Sequence, residues 1–65
     1  MNLPTPAEEY AKLIEYIRLA QECAARLAHL EAQNTPLKAQ QWLAVSELFK
    51  RLGHQITSIA TSKVN

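Results

Sequence analysis

Cysteine and glycine are almost missing from this sequence, which contains one residue of each. A single thiol, Cys23, cannot form a disulfide within the chain, so we expect a reducing compartment such as the cytoplasm. Residues 1–4 lack the charge and the apolar run of a signal peptide, and no segment reaches the ~20 apolar residues of a membrane span. We therefore expect a soluble, cytoplasmic protein without a membrane partner.

Charge of one sign is also lacking, since seven basic and six acidic residues leave a formal net charge of +1. A balance this even gives no general electrostatic attraction to nucleic acid or to an anionic membrane.

The length of the chain sets a second limit, because 65 residues make one small domain. Ordering each residue costs about 1.5 kcal/mol, and a lone pair of helices buries only one stripe on each. Self-association is therefore the expected source of further burial.

Two Thr-Pro pairs mark the starts of helices. Thr5 and Pro6 precede Glu8, and together they combine a capping residue, a first-turn proline and a capping-box acid. At the second pair, Thr35 and Pro36, a lysine stands where the acid would be, so we expect a looser first turn. The residue before a proline is driven out of the helical conformation, so the first helix must end before this pair.

The apolar pattern predicts an all-α fold, a two-helix antiparallel hairpin. We place helix one at about 6–33, the bend at 33–35 and helix two at about 36–62, in a single domain over 1–65. Gly53 interrupts helix two, but Ile56 and Ile59 keep its apolar phase, so we predict one helix through the glycine. The core stripes expected from spacings of three and four are Tyr10, Leu13, Ile14, Ile17, Ala20, Ala24, Leu27 and Ala28 on helix one, and Trp42, Val45, Phe49, Leu52, Ile56 and Ile59 on helix two, with Leu48 and Ala60 beside them.

A charged row lies opposite the core stripe of helix one. Its spacing favours two ion pairs four residues apart, Glu8 with Lys12 and Glu22 with Arg26. We interpret this row as solvated surface.

A further apolar row on helix one exceeds what one partner helix would cover. It consists of Tyr16, Leu19, Cys23 and Leu30. Because the helix then needs two neighbours, we predict a homodimer in which two hairpins form an antiparallel four-helix bundle. In outline this architecture is similar to that of the small plasmid-encoded Rop-type regulators. The likeness concerns the fold and does not transfer a function.

The titratable residues form no catalytic or metal-binding pattern. A helical hairpin has little concavity, and no His-x-x-x-His, Cys-x-x-Cys or Glu-x-x-His spacing occurs. His29 and His54 fall on charged sides and are interpreted as surface residues, with a metal or pH-sensing role across a dimer interface as the alternative. Cys23 is interpreted as a small buried hydrophobe. We predict that the protein is not an enzyme and has no catalytic, cofactor-binding or metal site and no small-molecule substrate.

The function we predict is a non-catalytic protein-protein interaction module, an accessory or regulatory homodimer with a partner protein. Trp42 is the main recognition candidate, because tryptophan is enriched in interface hot spots, and plugging the end of the bundle is its alternative role. The predicted interaction edge is Tyr16, Leu19, Cys23, Leu30, Trp42 and Leu43.

The alternative function is a nucleic-acid-binding regulator. Segment 48–59 resembles a degenerate DNA-binding helix-turn-helix with Gly53 at the turn. A small basic patch on helix two would supply the phosphate contacts. Its residues are Lys50, Arg51, His54 and Lys63.

Overall fold

The computed structural model describes residues 3–62 and contains two α-helices that pack side by side. Helix α1 spans Pro6–Glu31 and helix α2 spans Pro36–Thr61, each of 26 residues. The predicted all-α hairpin is confirmed. Neither of these two helices is long and apolar enough to cross a membrane.

Helix α1 ends at Glu31, two residues before its predicted end near residue 33, so the bend begins at residue 32 instead of 33. The Glu31 carbonyl accepts two backbone hydrogen bonds, from the Asn34 N–H at 3.0 Å and from the Thr35 N–H at 2.7 Å. Bonds of this kind satisfy a helix-end carbonyl while reversing the chain. They direct α2 back along α1.

The two helix starts differ in the way their sequences predict. At α1, the Thr5 hydroxyl accepts a hydrogen bond from the Glu8 N–H at 3.2 Å, and the Thr5 carbonyl accepts one from the Glu9 N–H at 3.1 Å. At α2, Thr35 makes no side-chain cap bond, and its carbonyl accepts from the Ala39 N–H at 3.0 Å. The start of α2 therefore lacks the ~1 kcal/mol that a side-chain cap contributes.

The residues between the two helices form a line that we call the seam, and they recur at alternating intervals of three and four, as in a coiled coil. All of them are buried or half-buried. The seam consists of Tyr10, Ile14, Ile17, Gln21, Ala24, Ala28 and Glu31 on α1, and of Ala39, Trp42, Ser46, Phe49, Gly53 and Ile56 on α2. The buried hydrophobic residues of the described chain are Ile17, Ala24, Ala28, Ala39 and Ile56.

Small seam residues let the two helix backbones approach closely. The Ser46 hydroxyl donates a hydrogen bond to the Gln21 carbonyl of the other helix at 3.4 Å. A second contact lies further from the bend, one turn away along α1 and two turns away along α2. There a Cβ on Gly53 would lie 3.6 Å from the Ile17 Cγ2 atom. Residue numbers rise along α1 as they fall along α2 between these contacts, which makes the pair antiparallel.

The core keeps most residues of the predicted stripes and leaves out those on one flank of each helix. The predicted core residues that are exposed in the structure are Leu13 and Leu27 on α1 and Leu48, Leu52, Ile59 and Ala60 on α2. Cys23, which the sequence places on the buried arc, is also exposed. Each helix carries two adjacent apolar stripes, and spacing alone does not choose between them. The stripe that faces the partner helix combines small residues, among them Ala24 and Gly53, with the aromatic side chains of Trp42 and Phe49.

Gly53 lies inside α2, which runs unbroken from Pro36 to Thr61. The predicted continuity of helix two is confirmed, and segment 48–59 has no turn that a helix-turn-helix would require. Gly53 has no positive φ. The Thr57 hydroxyl donates to the Gly53 carbonyl at 2.9 Å, one turn back along the same helix. No backbone feature of this position therefore requires glycine.

Replacement of Gly53 by alanine is expected to stabilise the protein. The new methyl group would make an ordinary van der Waals contact with Ile17 at 3.6 Å, and alanine loses less backbone entropy in a helix. We expect the free energy of unfolding to rise by about 0.5–1 kcal/mol in urea denaturation monitored by circular dichroism. Ala44→Gly, at an exposed position inside the same helix, is the matched control and should lower it by a similar amount. Destabilisation by Gly53→Ala would contradict the close but unstrained approach of the helices.

Candidate interaction surfaces

Large apolar side chains outside the seam form one row on each helix, again at intervals of three and four. Row one, on α1, is Leu13, Tyr16, Ala20, Cys23, Leu27 and Leu30. Row two, on α2, is Val45, Leu48, Leu52 and Ile59, with the polar residues Lys38, Gln41 and Gln55 at the remaining positions of the same spacing. Side chains at this spacing lie one above another on one side of a helix.

Both rows lie on the same side of the hairpin. An open cleft of about 440 Å³ between the helices, near the bend, is lined by Leu27 of row one together with Gln41 and Val45 of row two. Trp42, half-buried in the seam, contributes to the same cleft. We call this side, with rows one and two, the apolar face. Its exposure is large, since Tyr16 is 64% and Leu48 60% accessible.

The hairpin has no second layer to cover this face. Its Cα atoms fill a slab of 49 × 29 × 10 Å, which is one helix thick, and the radius of gyration is 15.4 Å. A compact globule of this length would have a radius of about 11 Å. Both broad sides of the single hairpin are therefore exposed to solvent. The apolar face forms a contiguous patch, whereas a monomeric protein normally exposes its apolar side chains singly.

The opposite side of the hairpin is polar. A second cleft, of about 170 Å³, has an apolar floor and is bordered by Arg18 of α1 and by Lys50, His54 and Thr57 of α2. No residue lines both clefts. We call this side the polar face. Leu43, which is 56% exposed, stands seven residues before Lys50 on the same line of α2 and so belongs to this side.

Charge pairing on α1 centres on Arg18, which binds two carboxylates at once. Its Nε donates to Glu15 Oε2 at 3.2 Å and its Nη1 donates to Glu22 Oε1 at 2.7 Å. The predicted pairs of Glu8 with Lys12 and of Glu22 with Arg26 are wrong. Lys12 instead approaches Glu9 at 3.9 Å. A guanidinium has five donors in a fork, so one arginine between two acids can satisfy both.

The Arg26 guanidinium points to the row-one cysteine, and its Nη2 donates to the Cys23 Sγ atom at 3.4 Å. Within residues 3–62, no group of three or more His, Cys, Asp or Glu residues could hold a metal ion. His29 and His54 are both exposed. His54 borders the polar cleft, whereas His29 lies in the last turn of α1 near the bend.

The predicted interaction edge is divided between several places. Tyr16, Cys23 and Leu30 belong to row one, and Leu19 is exposed at the outer margin of that row. Trp42 is half-buried in the seam, and Leu43 is on the polar face. The edge is therefore not one surface, because adjacent residues of a helix point about 100° apart. The residues that sequence reasoning missed had been assigned to the core, and they are Leu13, Leu27, Leu48, Leu52 and Ile59.

Two residues of the predicted basic patch lie together in the structure. Lys50 and His54 share the polar cleft with Arg18, which the sequence analysis did not assign to it. Arg51 is exposed on α2 next to this cleft, and Lys63 lies outside the described residues. The spacing of Arg18 within helix one contains no signal for this grouping, because it depends on the register between the helices.

Comparison with protein-family models, with curated proteins and with solved structures gives no match to this chain.

Arg18 is expected to hold Glu15 ionised to lower pH than an isolated glutamate. Its hydrogen bond to the Glu15 carboxylate, helped by its positive charge, lowers the pKa of Glu15, and the carboxylates in turn raise the pKa of Arg18. A lowered pKa in the folded state adds stability above the unfolded-state pKa, and this stability is lost as pH falls through the folded-state pKa. The pair is solvent-exposed, so its effect on stability is small.

The measurement is an NMR titration of the Glu15 side-chain carboxyl. Arg18→Gln should move the pKa of Glu15 upward, toward the ordinary glutamate value. Arg51→Gln removes the same charge from the other helix and should leave it unchanged. An unaltered pKa in Arg18→Gln would show that the guanidinium does not bind Glu15 in solution.

Proposed function

We propose that the protein is a non-catalytic interaction module, an accessory or regulatory protein of the cytoplasm, that acts as a homodimer. Two hairpins would pack through their apolar faces into a four-helix bundle. The observation that carries this proposal is the apolar face itself, in which two rows of large side chains lie uncovered on one side of a slab one helix thick.

Burial within one chain is too small to balance the ordering of the helices. Three of the five buried hydrophobic residues in the described chain are alanines, and the other two are Ile17 and Ile56. Complete burial of a leucine or isoleucine contributes about 1.5–3 kcal/mol, and alanine contributes much less. Rows one and two hold more of the large apolar side chains of the described residues than the seam does. A hairpin of this kind gains its main stabilisation only when that face is covered.

A second copy of the chain fits this face in size and in charge. A stable interface buries roughly 800 Å² on each partner, and the broad side of the 49 × 29 × 10 Å slab is larger than that. The middle of both rows carries no charged side chain, from Leu13 to Leu30 on α1 and from Gln41 to Ile59 on α2. Two identical faces can therefore meet without bringing like charges together.

A partner protein would bind the dimer through apolar side chains that remain at its margins. Leu19 stands at the outer margin of row one, and Leu43 is exposed on the polar face. Trp42 lines the open cleft near the bend, where an apolar side chain of a partner could enter beside Leu27 and Val45. Tryptophan in such a position is a frequent anchor of protein interfaces.

Two leucines of α2 with similar exposure provide the test of the dimer. Leu48→Gln should weaken self-association by at least tenfold, because each dimer loses two buried leucines. Leu43→Gln, on the polar face, should leave it unchanged. Sedimentation equilibrium at micromolar concentration measures both, and the melting temperature of the wild type should rise with protein concentration. A stably folded wild-type monomer, or equal weakening by both variants, would contradict the proposal.

Nucleic-acid binding is a second candidate, and the observation in its favour is that Lys50 and His54 border the polar cleft, with Arg51 exposed beside Lys50 on the same helix. Arg18 borders this cleft too, but its charge is paired with Glu15 and Glu22. This face would remain outside in the proposed dimer. Two clusters per dimer could then contact phosphates.

The double variant Lys50→Gln/Arg51→Gln should weaken binding of a fluorescently labelled DNA duplex, and wild-type binding should fall steeply between 50 and 200 mM salt, because phosphate contacts release counterions. Fluorescence anisotropy measures both effects. Lys12→Gln, which removes one charge from α1, is the control. Absence of binding at low salt would exclude this candidate.

A further inference from the structure

We infer that the two hairpins of the dimer lie face to face with their bends at opposite ends. They are related by a two-fold axis perpendicular to the helices, which lies at the height of Ala20 on α1 and of Leu48 on α2. This inference rests on the proposed homodimer and specifies how the second copy covers the apolar face. It follows from the order of residues along the two rows and from the register between the helices.

Row one is symmetric about Ala20. Leu13 precedes this alanine by seven residues and Leu27 follows it by seven, and Tyr16 and Cys23 stand between. If α1 packs antiparallel against α1 of the second copy, Leu13 meets the Leu27 of that copy. The two small Ala20 residues then face each other at the axis, which lets the helices approach closely. Every residue of row one that is paired in this way is apolar or a cysteine.

Row two is symmetric about Leu48 in its polarity from Gln41 to Gln55, and beyond these amides Lys38 would lie opposite Ile59. Val45 and Leu52 flank Leu48, and Gln41 and Gln55 follow at seven residues to either side of it. If α2 packs antiparallel against α2 of the second copy, Val45 meets Leu52 and the Gln41 amide meets the Gln55 amide. The apolar residues are thereby buried together, and the amides can hydrogen-bond to each other.

The centres of the two rows lie at the same height along the hairpin. Ile17 contacts Gly53 across the seam, and the Gln21 carbonyl accepts a hydrogen bond from Ser46. The first contact sets Ala20 beside residue 50 and the second sets it beside residue 47, so the contacts fix the register to within three residues. Between these two levels, Ala20 falls beside Leu48. One two-fold axis perpendicular to the helices can therefore pass through the centre of symmetry of both rows.

The other face-to-face arrangement, with both bends at the same end, pairs α1 of one copy with α2 of the other. The register of the hairpin would then place Leu27 opposite Gln41 and Leu13 opposite Gln55 of the second copy. Each buried amide would face a leucine and lose its hydrogen-bonding partners to water, which is costly. The arrangement with opposite bends avoids both mismatches.

Engineered cysteines distinguish the arrangements. In a Cys23→Ser background, Ala20→Cys and Leu48→Cys are prepared as separate proteins, and each is oxidised with oxidised glutathione. With bends at opposite ends, each single variant should form a disulfide-linked homodimer, seen on a non-reducing gel, because each new thiol faces its own copy at the axis. Leu43→Cys in the same background, on the polar face, controls for random collision and should remain unlinked.

Sedimentation of the reduced variants separates failure of the inference from failure of the dimer. In a second experiment the Ala20→Cys and Leu48→Cys proteins are unfolded together and refolded as a mixture. If a disulfide forms only in this mixture, α1 of one copy faces α2 of the other, which would overturn the opposite-bend arrangement and retain the dimer. Reduced variants that sediment as dimers but form no linkage in either experiment would overturn the pairing of the rows. A wild-type protein that sediments as a folded monomer would overturn both proposals.

Discussion

The close contact of two helices through small side chains is the constraint on which this structure depends. Ala24, Ala28 and Ala39 are buried in the seam, and Ser46 and Gly53 face Gln21 and Ile17 across it. Backbones approach closely where side chains are short, and the seam combines such residues with large ones, among them Trp42 and Phe49. The leucines lie outside the seam. They are displaced to the flank of each helix. The hairpin thus obtains a well-defined register and only a small hydrophobic core.

The displaced side chains give the molecule two unlike sides. In an antiparallel pair, flanks on the same rotational side of each helix come to the same broad face, so rows one and two add to one apolar surface. The other flanks supply the polar face, with its cleft between Arg18 and Lys50. A four-helix bundle is the arrangement in which each helix has two neighbours, one for each of its stripes. The proposed dimer follows from this geometry, as does the position of the basic cluster outside it.

Local signals in the sequence account for the secondary structure and less well for the surfaces. The Thr5 cap, the prolines at both helix starts and the unbroken phase through Gly53 depend on neighbouring residues, and the structure agrees with each. The end of α1 was missed by two residues, because backbone bonds to the Glu31 carbonyl decide it. Cys23 was assigned to the interior and is exposed, since either of two adjacent stripes could have faced the partner helix. Arg18 was not linked to the basic patch for the same reason.

By itself, the sequence determined that this protein consists of two helices of equal length that turn back on each other, because caps, prolines and periodicity act within a few residues. It also determined that the chain has more apolar surface than two helices can bury between them. Only the tertiary structure decided which stripe forms the seam, which leucines remain uncovered and which charges share a cleft. Those outcomes depend on the rotation and register of one helix against the other, and side-chain size across the contact sets both.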